Sequence, residues 1–403
     1  MRLGVSRRDV FAGAAVTVLA APAWASERIA RIPLKLSYNL PWTTAAVNGD
    51  AEGAVLISTG LSRIVLSSAL VGRSGAVRTK REFSDTALGR RETDLFFARR
   101  ISLGSALEID DYYLASLPDG YADPDFAGAA GGIFSKVVAG FDFEKPLLTV
   151  ARRSHFDTRG YGEARLLGGP PERTASLSEF STYGAVESLA VEENGSFDPR
   201  PAITATIDGR EVRLLLDTGF SGSVLLYGDA PEAAAPDSQV WLFGAGPAAK
   251  LARASQMSFA GVAVPAPVIE YVQRDVRAHQ SGLSLDGVIG MELLRRFHII
   301  LDVSDEAVWM KPNKAFAEPI GYNKAGMNLT KQGSDVLVAN ITPQAPAWRA
   351  GLQPGDRLVN WAGAASLRAL QASLSGAAGA RVDLLVQRDQ RTATLAVKLQ
   401  DLV

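Results

Sequence analysis

The sequence predicts a mainly β protein, built from two related lobes and a small mixed α/β domain. Three observations support this prediction: short strand and turn patterns fill the first 310 residues, one series of motifs occurs twice, and the composition changes after Met310. A chain of 403 residues is long enough for two or three domains. We therefore expect lobes over residues 30–165 and 180–313 and a further domain over residues 320–403.

The charge balance argues against a nucleic-acid-binding protein. The chain has 42 Lys and Arg residues against 43 Asp and Glu residues, and no basic cluster interleaved with aromatic residues follows the N-terminal segment. It has no cysteine, which excludes disulfides and thiolate metal sites. The three histidines, His155, His279 and His298, are scattered along the chain, so we expect neither a metal site nor a cofactor.

The N-terminal segment has the pattern of an export signal. Arg7 and Arg8 precede an apolar stretch over residues 12–21, and Ala23-Trp24-Ala25 supplies a small-x-small cleavage pattern. The segment resembles a twin-arginine translocation signal, which implies that residues 1–25 are removed and that the folded protein is exported to the bacterial periplasm. Its apolar core of about ten residues is too short to cross a bilayer, and no later segment reaches about 18 apolar residues. We therefore expect no membrane span in the mature chain.

The second lobe contains a hairpin that ends in an acidic loop. Residues 203–207 alternate like a strand, Asp208-Gly209 forms a turn, and an apolar strand then leads into Asp217-Thr218-Gly219. Farther on, Gly287-Val288-Ile289-Gly290 precedes a predicted helix over residues 291–297. The hairpin thus delivers an aspartate to a glycine-containing loop.

The first lobe repeats this order of motifs. Asn48-Gly49 forms the turn, residues 54–57 form the apolar strand, and Ser58-Thr59-Gly60 stands where the second lobe has its acidic loop. A similar strand and turn pattern follows the loop at nearly the same spacing in both copies. A helix is predicted over residues 135–140, in the place of the helix of the second lobe.

Residues 214–221, which read LLLDTGFS, resemble the catalytic loop of retropepsin-like and pepsin-like aspartic proteases. The likeness extends over the order of strand, loop, glycine motif and helix, and it covers roughly residues 36–310. It implies two aspartic-protease-like β-barrel lobes. It also implies that Asp217 is a catalytic carboxylate.

The same resemblance assigns roles to the neighbours of this aspartate. Thr218 would brace the loop through its hydroxyl, and Gly219 would let the backbone approach the carboxylate. Ser221 would donate a hydrogen bond to the outer oxygen of Asp217. Alternatively, Asp217 is only a turn residue after a strand.

The first lobe departs from the family pattern at its own loop. Aspartic proteases use two carboxylates that share one proton, and Ser58 occupies the position of the first. The loop Ser58, Thr59 and Gly60 therefore leaves three explanations. A homodimer could supply a second Asp217; another carboxylate such as Asp157 could substitute, although its loop spacing is wrong; or the lobes could be an inactive scaffold that binds extended peptides.

A glycine-rich segment lies where such proteases place the flap that covers the substrate. Gly244, Ala245 and Gly246 are predicted to form the tip of a hairpin there. A dinucleotide-binding loop is the alternative for this segment. The following Pro247 and the absence of a clear helix after it argue against that alternative.

The segment after residue 320 resembles a bacterial PDZ domain. Residues 347–356 read AWRAGLQPGD, a short helix followed by a turn, and residues 366–374 read as the later helix that lines the groove. The resemblance implies a carboxylate-binding loop over residues 324–327 and an edge strand that pairs with a peptide. The residues expected to bind peptide are Lys324, Ala325, Gly326, Met327 and Leu329. Alternatively, Met327 and Leu329 are core residues of a strand.

Two charged patterns have simpler interpretations. Asp142 and Asp302 recur at equivalent positions of the two lobes, and we expect both to be turn-forming acids. The pairs Arg152-Arg153 and Arg295-Arg296 are expected to lie on solvated faces.

Together these patterns predict an exported aspartic endopeptidase that cleaves protein substrates in the periplasm, with the C-terminal domain recognising a substrate or partner. The alternative is a catalytically inactive, protease-like scaffold that binds extended peptides. A homodimer is expected if a second Asp217 completes the site.

Overall fold

The computed structural model describes most of the chain after residue 28. The described ranges are 29–37, 39–49, 51–86, 89–117, 126–135, 137–167, 200–231, 235–237, 240–241, 244–245, 249–272, 285–332, 335–361 and 364–403. The predicted signal peptide and Gly246 lie outside these residues.

The first lobe is built mainly from antiparallel strands, with one α-helix among its described residues. The strands are β1 (Ala30–Pro33), β2 (Lys35–Ser37), β3 (Leu40–Val47), β4 (Ala51–Ile57), β5 (Val65–Leu66), β6 (Val77–Thr86), β7 (Gly89–Leu103), β8 (Leu107–Ser116), β9 (Gly128–Ala130), β10 (Val138–Asp142), β11 (Leu147–Ala151) and β12 (Gly162–Arg165), and helix α1 is Ser68–Arg73. Eight of these strands form one sheet in the order β2-β3-β4-β9-β5-β8-β7-β6.

The second lobe has the same kind of sheet. Its strands are β13 (Ala202–Ile207), β14 (Arg210–Leu216), β15 (Val224–Tyr227), β16 (Ala235–Asp237), β17 (Val240–Trp241), β18 (Gly244–Ala245), β19 (Ala249–Arg253), β20 (Gln256–Phe259), β21 (Val262–Pro265), β22 (Val268–Val272), β23 (Gly287–Ile289), β24 (Phe297–Asp302) and β25 (Ala307–Pro312), and helix α2 is Met291–Leu294. Nine of them pair in the order β16-β19-β22-β15-β23-β14-β13-β20-β21.

The internal repeat is visible in the strand pairing. The hairpin β3–β4 turns at Asn48-Gly49 and the hairpin β13–β14 at Asp208-Gly209, and all four turn residues have positive φ. The second strand of each hairpin then runs parallel to a short buried strand, β4 beside β9 and β14 beside β23. Strand β4 ends at the predicted loop of residues 58–60, and strand β14 ends at the predicted loop that begins with Asp217. The predicted mainly β fold with two related lobes is therefore confirmed.

A six-stranded sheet joins the two lobes. Its order is β1-β11-β10-β24-β25-β12, and β10 of the first lobe pairs antiparallel with β24 of the second, from Val138 opposite Asp302 to Phe141 opposite Ile299. The apolar side chains of both lobes form one large buried cluster. The lobes are thus joined by backbone hydrogen bonds as well as by side-chain packing.

The terminal hairpins of this sheet begin at the two predicted turn acids. Asp142 accepts hydrogen bonds from the amides of Glu144 and Lys145, and Asp302 accepts from the amide of Asp305. The prediction that both acids form turns is confirmed.

The predicted helices after the glycine motifs are too long. A 3₁₀ turn covers Ile133–Ser135, but residues 138–142 form the central strand β10. Helix α2 likewise ends at Leu294, because the chain enters strand β24 at Phe297. In both lobes the apolar residues after the turn enter the sheet that joins the lobes. There β10 and β24, which are distant in sequence, pair with each other.

The C-terminal domain is a five-stranded sheet with two helices. Its strands are β26 (Met327–Gln332), β27 (Asp335–Ile341), β28 (Arg357–Leu358), β29 (Arg381–Arg388) and β30 (Arg391–Lys398), in that order across the sheet, and its helices are α3 (Pro346–Arg349) and α4 (Ala364–Leu374). The domain has its own apolar core. None of the helices in the described residues is long and apolar enough to cross a membrane.

Candidate functional site

Two symmetric loops meet between the lobes. We call residues 58–60, at the end of β4, the Ser58 loop, and residues 217–223, at the end of β14, the Asp217 loop. The amide of Ser58 donates to the carbonyl of Ala130 and the amide of Asp217 to that of Ile289, each at 3.0 Å. The parallel neighbouring strands β9 and β23 therefore hold the two loops at equivalent positions of their lobes.

Two threonines bind the loops to each other reciprocally. The amide of Thr59 donates to Oγ1 of Thr218, and the amide of Thr218 donates to Oγ1 of Thr59, both at 3.1 Å. Each hydroxyl then donates across the interface, from Thr59 to the carbonyl of Leu216 at 2.6 Å and from Thr218 to that of Ile57 at 2.7 Å. Both threonines are buried. The bracing geometry predicted for Thr218 is present, and Thr59 repeats it from the first lobe.

One oxygen of Asp217 accepts all of its hydrogen bonds. Oδ1 accepts from the Ser58 hydroxyl at 2.9 Å, from the amide of Gly60 at 3.1 Å and from the amide of Gly219 at 2.7 Å. Oδ2 has no hydrogen-bond donor among the described residues. A proton on this carboxyl group is therefore carried by Oδ2, because three donors already point at Oδ1.

Glycine is needed on both sides of this carboxylate. A Cβ atom on Gly60 would lie 2.3 Å from Cγ of Asp217, and one on Gly219 would lie 2.5 Å from Oγ of Ser58. Both distances are shorter than atoms can approach. The glycines allow the backbone amides of both loops to reach Asp217.

Burial raises the pKa of Asp217 above its ordinary value of 3.8. Loss of solvent around the carboxylate is the largest cause, and hydrogen bonds from Gly219, Ser58 and Gly60, together with the charge of Arg200, oppose it. Part of the Asp217 surface is still accessible. The site therefore holds a carboxyl group that keeps its proton to a higher pH than a surface aspartate.

The homodimer stays a prediction. The position opposite Asp217 is the one at which it is expected to supply a second Asp217. That position is filled by the same chain, through the reciprocal bonds of Thr59 and Thr218. The lobes pair within one chain, so a second copy is not needed to pair the loops.

The hydrogen bond predicted from Ser221 is absent. Among the described residues, the side-chain hydroxyl that donates to Asp217 belongs to Ser58. Ser221 lies farther along the Asp217 loop, and no contact of its hydroxyl with the carboxylate is formed. The sequence could not reveal this, because Ser58 and Asp217 are brought together only by the pairing of the lobes.

The segment predicted to form the flap tip has a different structure. Gly244 and Ala245 form strand β18, which pairs with Trp241 and Val240 of β17, so both lie in a paired strand and not in an unpaired tip. Gly246 lies outside the described residues. The described parts of the hairpin approach strand β26 of the C-terminal domain.

A longer hairpin in the first lobe was not predicted. Strands β6 and β7 have 10 and 15 residues and pair from Thr86 opposite Gly89 to Val77 opposite Phe97. Salt bridges from Arg78 and Arg81 to Asp94 tie the two strands together. Residues 78–94 are mostly charged or polar and do not alternate regularly with apolar residues, so the sequence shows no strand periodicity there.

The predicted peptide-binding residues of the C-terminal domain are mostly internal. Met327 and Leu329 are fully buried in its core, which favours the alternative that they are core residues. The amide of Lys324 donates to the carbonyl of Leu374, and that of Ala325 donates to Oδ1 of Asn323. These two amides are therefore not available to a ligand carboxylate, contrary to the prediction for the whole loop. Gly326 has a positive φ of 66°.

Comparison with known proteins supports the assignment of the C-terminal domain. Residues 324–399 match the PDZ domain family and form a PDZ domain. Among solved structures, an aspartic proteinase from Irpex lacteus has 13% sequence identity and a TM-score of 0.43, and the match covers 73% of this chain and all of that one. No curated protein matches the sequence.

We predict that Thr218→Val destabilises the protein by about 2 to 4 kcal/mol, because the amide of Thr59 and the carbonyl of Ile57 lose their buried partner. Urea unfolding of the full chain measures the change. Thr204→Val, at an exposed position of β13, is the control and should change stability by less than about 0.5 kcal/mol. Equal effects of the two substitutions would contradict the role of the Thr218 hydroxyl.

We also predict that the stability gained by Asp217→Asn increases with pH. Because the pKa of Asp217 is raised in the folded state, the wild-type protein loses stability as pH rises from 3.8 through that raised value. Asparagine retains the carbonyl acceptor but does not ionise, so it avoids this loss. Urea unfolding of both proteins between pH 3 and 8 measures the difference. Asp305→Asn, at an exposed turn, is the control, and a pH-independent difference for Asp217→Asn would refute the prediction.

Proposed function

We propose that this protein binds extended polypeptide segments between its two lobes, at the paired Ser58 and Asp217 loops, and that the PDZ domain binds a further segment. The observation that carries the proposal is the pair itself. The Ser58 hydroxyl lies 2.9 Å from Asp217 inside a symmetric, reciprocally bonded pair of loops. The arrangement has the symmetry of a two-carboxylate site, but within the described part of the chain the paired loops carry one carboxylate.

A single carboxylate favours binding over cleavage. Peptide hydrolysis at such a site needs one group to take a proton from water and a second to protonate the leaving amine. The described groups that contact the Asp217 carboxylate are the Ser58 hydroxyl and the amides of Gly60 and Gly219. None of them ionises near neutral pH. The two proton transfers would therefore both fall to Asp217.

Asp217 is suited to bind a peptide carbonyl. Its Oδ1 is surrounded by donors, whereas Oδ2 is left for a ligand. When the carboxyl group is protonated, Oδ2–H donates a hydrogen bond, and the carbonyl oxygen of an extended peptide is the matching acceptor. Binding in this form is favoured by the raised pKa of Asp217.

The PDZ domain supplies a second place for an extended segment. Strand β26 is the edge strand of its sheet and pairs only with β27 among the described strands. The β17–β18 hairpin lies close to β26, so a peptide that adds a strand there has to displace this hairpin. PDZ domains bind peptides by adding a strand at such an edge. Two weak sites on one chain bind a long segment more strongly than either site alone. We propose an unfolded or extended protein as the partner.

We also propose that the protein acts in the bacterial periplasm. The support is the sequence of residues 1–25, with its twin arginines and small-x-small pattern. An exported protein of this kind would meet other exported chains before or after they fold.

Hydrolysis by Asp217, as an endopeptidase, is a second candidate function. It is favoured by the retained loop geometry together with the raised pKa of Asp217, which lets this group exchange a proton at a higher pH than a surface aspartate. The candidate requires a general acid that the described contacts of Asp217 do not include.

We predict that peptide binding weakens about tenfold as pH rises through the pKa of Asp217, because the donor on Oδ2 is lost. Asp217→Asn should bind with little pH dependence, since its amide nitrogen remains a donor, and Asp217→Ala should bind weakly at every pH. The probe is a fluorescent library of 12-residue peptides without acidic residues or histidine, measured by anisotropy between pH 4 and 8. Equal affinity of all three proteins would argue against a binding role of Asp217.

We predict that Ser58→Asp converts the site into an acid peptidase, because it places a second carboxylate beside Asp217 at a position that is 4% exposed. The wild-type protein should not cleave a denatured protein between pH 3 and 8, whereas Ser58→Asp should do so below pH 6. Ser58→Asn and the double variant Ser58→Asp/Asp217→Asn are the inactive controls. Cleavage by the wild type that Asp217→Asn abolishes would instead establish the endopeptidase.

A further inference from the structure

A buried ion pair lies beside the Asp217 loop, at the junction with the PDZ domain. Glu292 is 3% exposed and Arg296 is 1% exposed, and Nη2 of Arg296 lies 2.6 Å from Oε1 of Glu292. The prediction that Arg295-Arg296 lies on a solvated face is therefore wrong for Arg296. The two residues are one helical turn apart on and after α2, which brings their side chains together.

The pair holds the segment that leads into the PDZ domain. Arg296 donates to the carbonyls of Ala315, Glu318 and Pro319, with Nη1–O of Ala315 at 3.0 Å and Nη2–O of Pro319 at 2.9 Å. The amide of Gly321 donates to Oε1 of Glu292 at 2.7 Å. Four backbone groups between β25 and the PDZ domain are thus bonded to two side chains.

The same helix holds the Asp217 loop. The amide of Met291 donates to the carbonyl of Phe220 at 2.7 Å, and the amide of Glu292 donates to that of Gly222 at 3.0 Å. The amide of Gly290 donates to the carbonyl of Ser223 at 2.8 Å. Glu292 therefore bonds the Asp217 loop through its backbone and the PDZ linker through its side chain.

Three more contacts complete this junction. Nδ2 of Asn39, in the first lobe, donates to Oε2 of Glu292. At the other end of the PDZ domain, the amide of Leu402 donates to the hydroxyl of Tyr322 at 2.8 Å, and Leu402 packs with Leu251 and Val268 of the second lobe. The PDZ domain is thus anchored to the lobes at both of its ends.

We propose that Glu292 is a positioning residue that couples the anchoring of the PDZ domain to the conformation of the Asp217 loop. The PDZ domain is then a fixed part of the peptide-binding surface, not a module on a flexible tether. A polypeptide bound at both sites must span them in one orientation. The coupling is independent of the proposed function, whereas this consequence for the ligand rests on it.

The chemistry of the Glu292–Arg296 pair explains why its loss should disturb both the linker and the Asp217 loop. Arg296 is planar and uses its donors in several directions at once, which a lysine cannot do. A buried charge that has lost its partner destabilises the folded state. The surrounding backbone must therefore rearrange so that water reaches the charge. Because α2 has only four residues, the linker and the Asp217 loop share one short rigid element.

The deciding variant is Arg296→Lys, because it keeps a positive charge beside Glu292 and removes the donors to the linker carbonyls. Glu292→Gln is the second variant. Glu318→Gln is the matched control, since Glu318 is an exposed carboxylate bonded to Arg295 in the same cluster. Amide hydrogen exchange of the full chain, without any peptide, is measured by mass spectrometry over residues 217–223 and 314–322.

We expect Arg296→Lys to raise exchange about tenfold or more in both segments, and Glu318→Gln to change neither. Faster exchange in the linker alone, or no change in either segment, would overturn the coupling. Loss of the fold in Arg296→Lys would also overturn it, because the cluster would then be required for the fold as a whole. Since no peptide is present, a failure of peptide binding leaves this test unaffected.

A second measurement separates positioning from general stability. The difference in the free energy of unfolding between the wild-type protein and Asp217→Asn is measured as a function of pH. The same difference is then measured between two chains that both carry Arg296→Lys. Loosening of the Asp217 loop should admit water and return the pKa of Asp217 toward its ordinary value. A loss of stability that is equal at every pH would show that the cluster is merely structural.

Discussion

The reciprocal hydrogen bonds between Thr59 and Thr218 are the interaction on which the site depends. Both threonines are buried, and each uses its hydroxyl as an acceptor from one amide and a donor to one carbonyl of the opposite lobe. These bonds satisfy backbone groups that would otherwise be buried without partners. They also fix the distance between Ser58 and Asp217. The six-stranded sheet also holds the two lobes together, because its strand β10 from the first lobe pairs with β24 from the second.

The two loops occupy equivalent positions in this frame of paired loops, but one carries a serine where the other carries an aspartate. Two carboxylates at these positions would repel each other and share one proton, whereas a serine hydroxyl donates to Asp217 without competing for charge. Burial still raises the pKa of Asp217, so the site keeps a neutral donor on Oδ2 to a higher pH than a surface aspartate does. A frame that brings two loops together with one acid is well matched to hydrogen bonding with a polypeptide backbone.

The polar cluster around Glu292 extends this frame to the PDZ domain. Buried charges are tolerated here because each finds several partners, including backbone groups of the linker. The cluster joins the first lobe, the Asp217 loop and the linker through one short helix. The proposed peptide-binding surface is therefore a single unit that includes the PDZ domain.

The sequence alone determined the mainly β fold, the two-lobe repeat, the PDZ domain and the position of Asp217, because these depend on local alternation, turn glycines and short motifs. It did not determine the helix ends after Ser135 and Leu294 or the burial of Arg296, since the groups that they pair with lie elsewhere in the chain. It also missed the strand formed by Gly244 and Ala245, although the partners Trp241 and Val240 are close in sequence. Only the tertiary structure decided that Ser58 contacts Asp217 within one chain. Residues 159 positions apart meet there because the lobes fold against each other, and no local pattern encodes that contact.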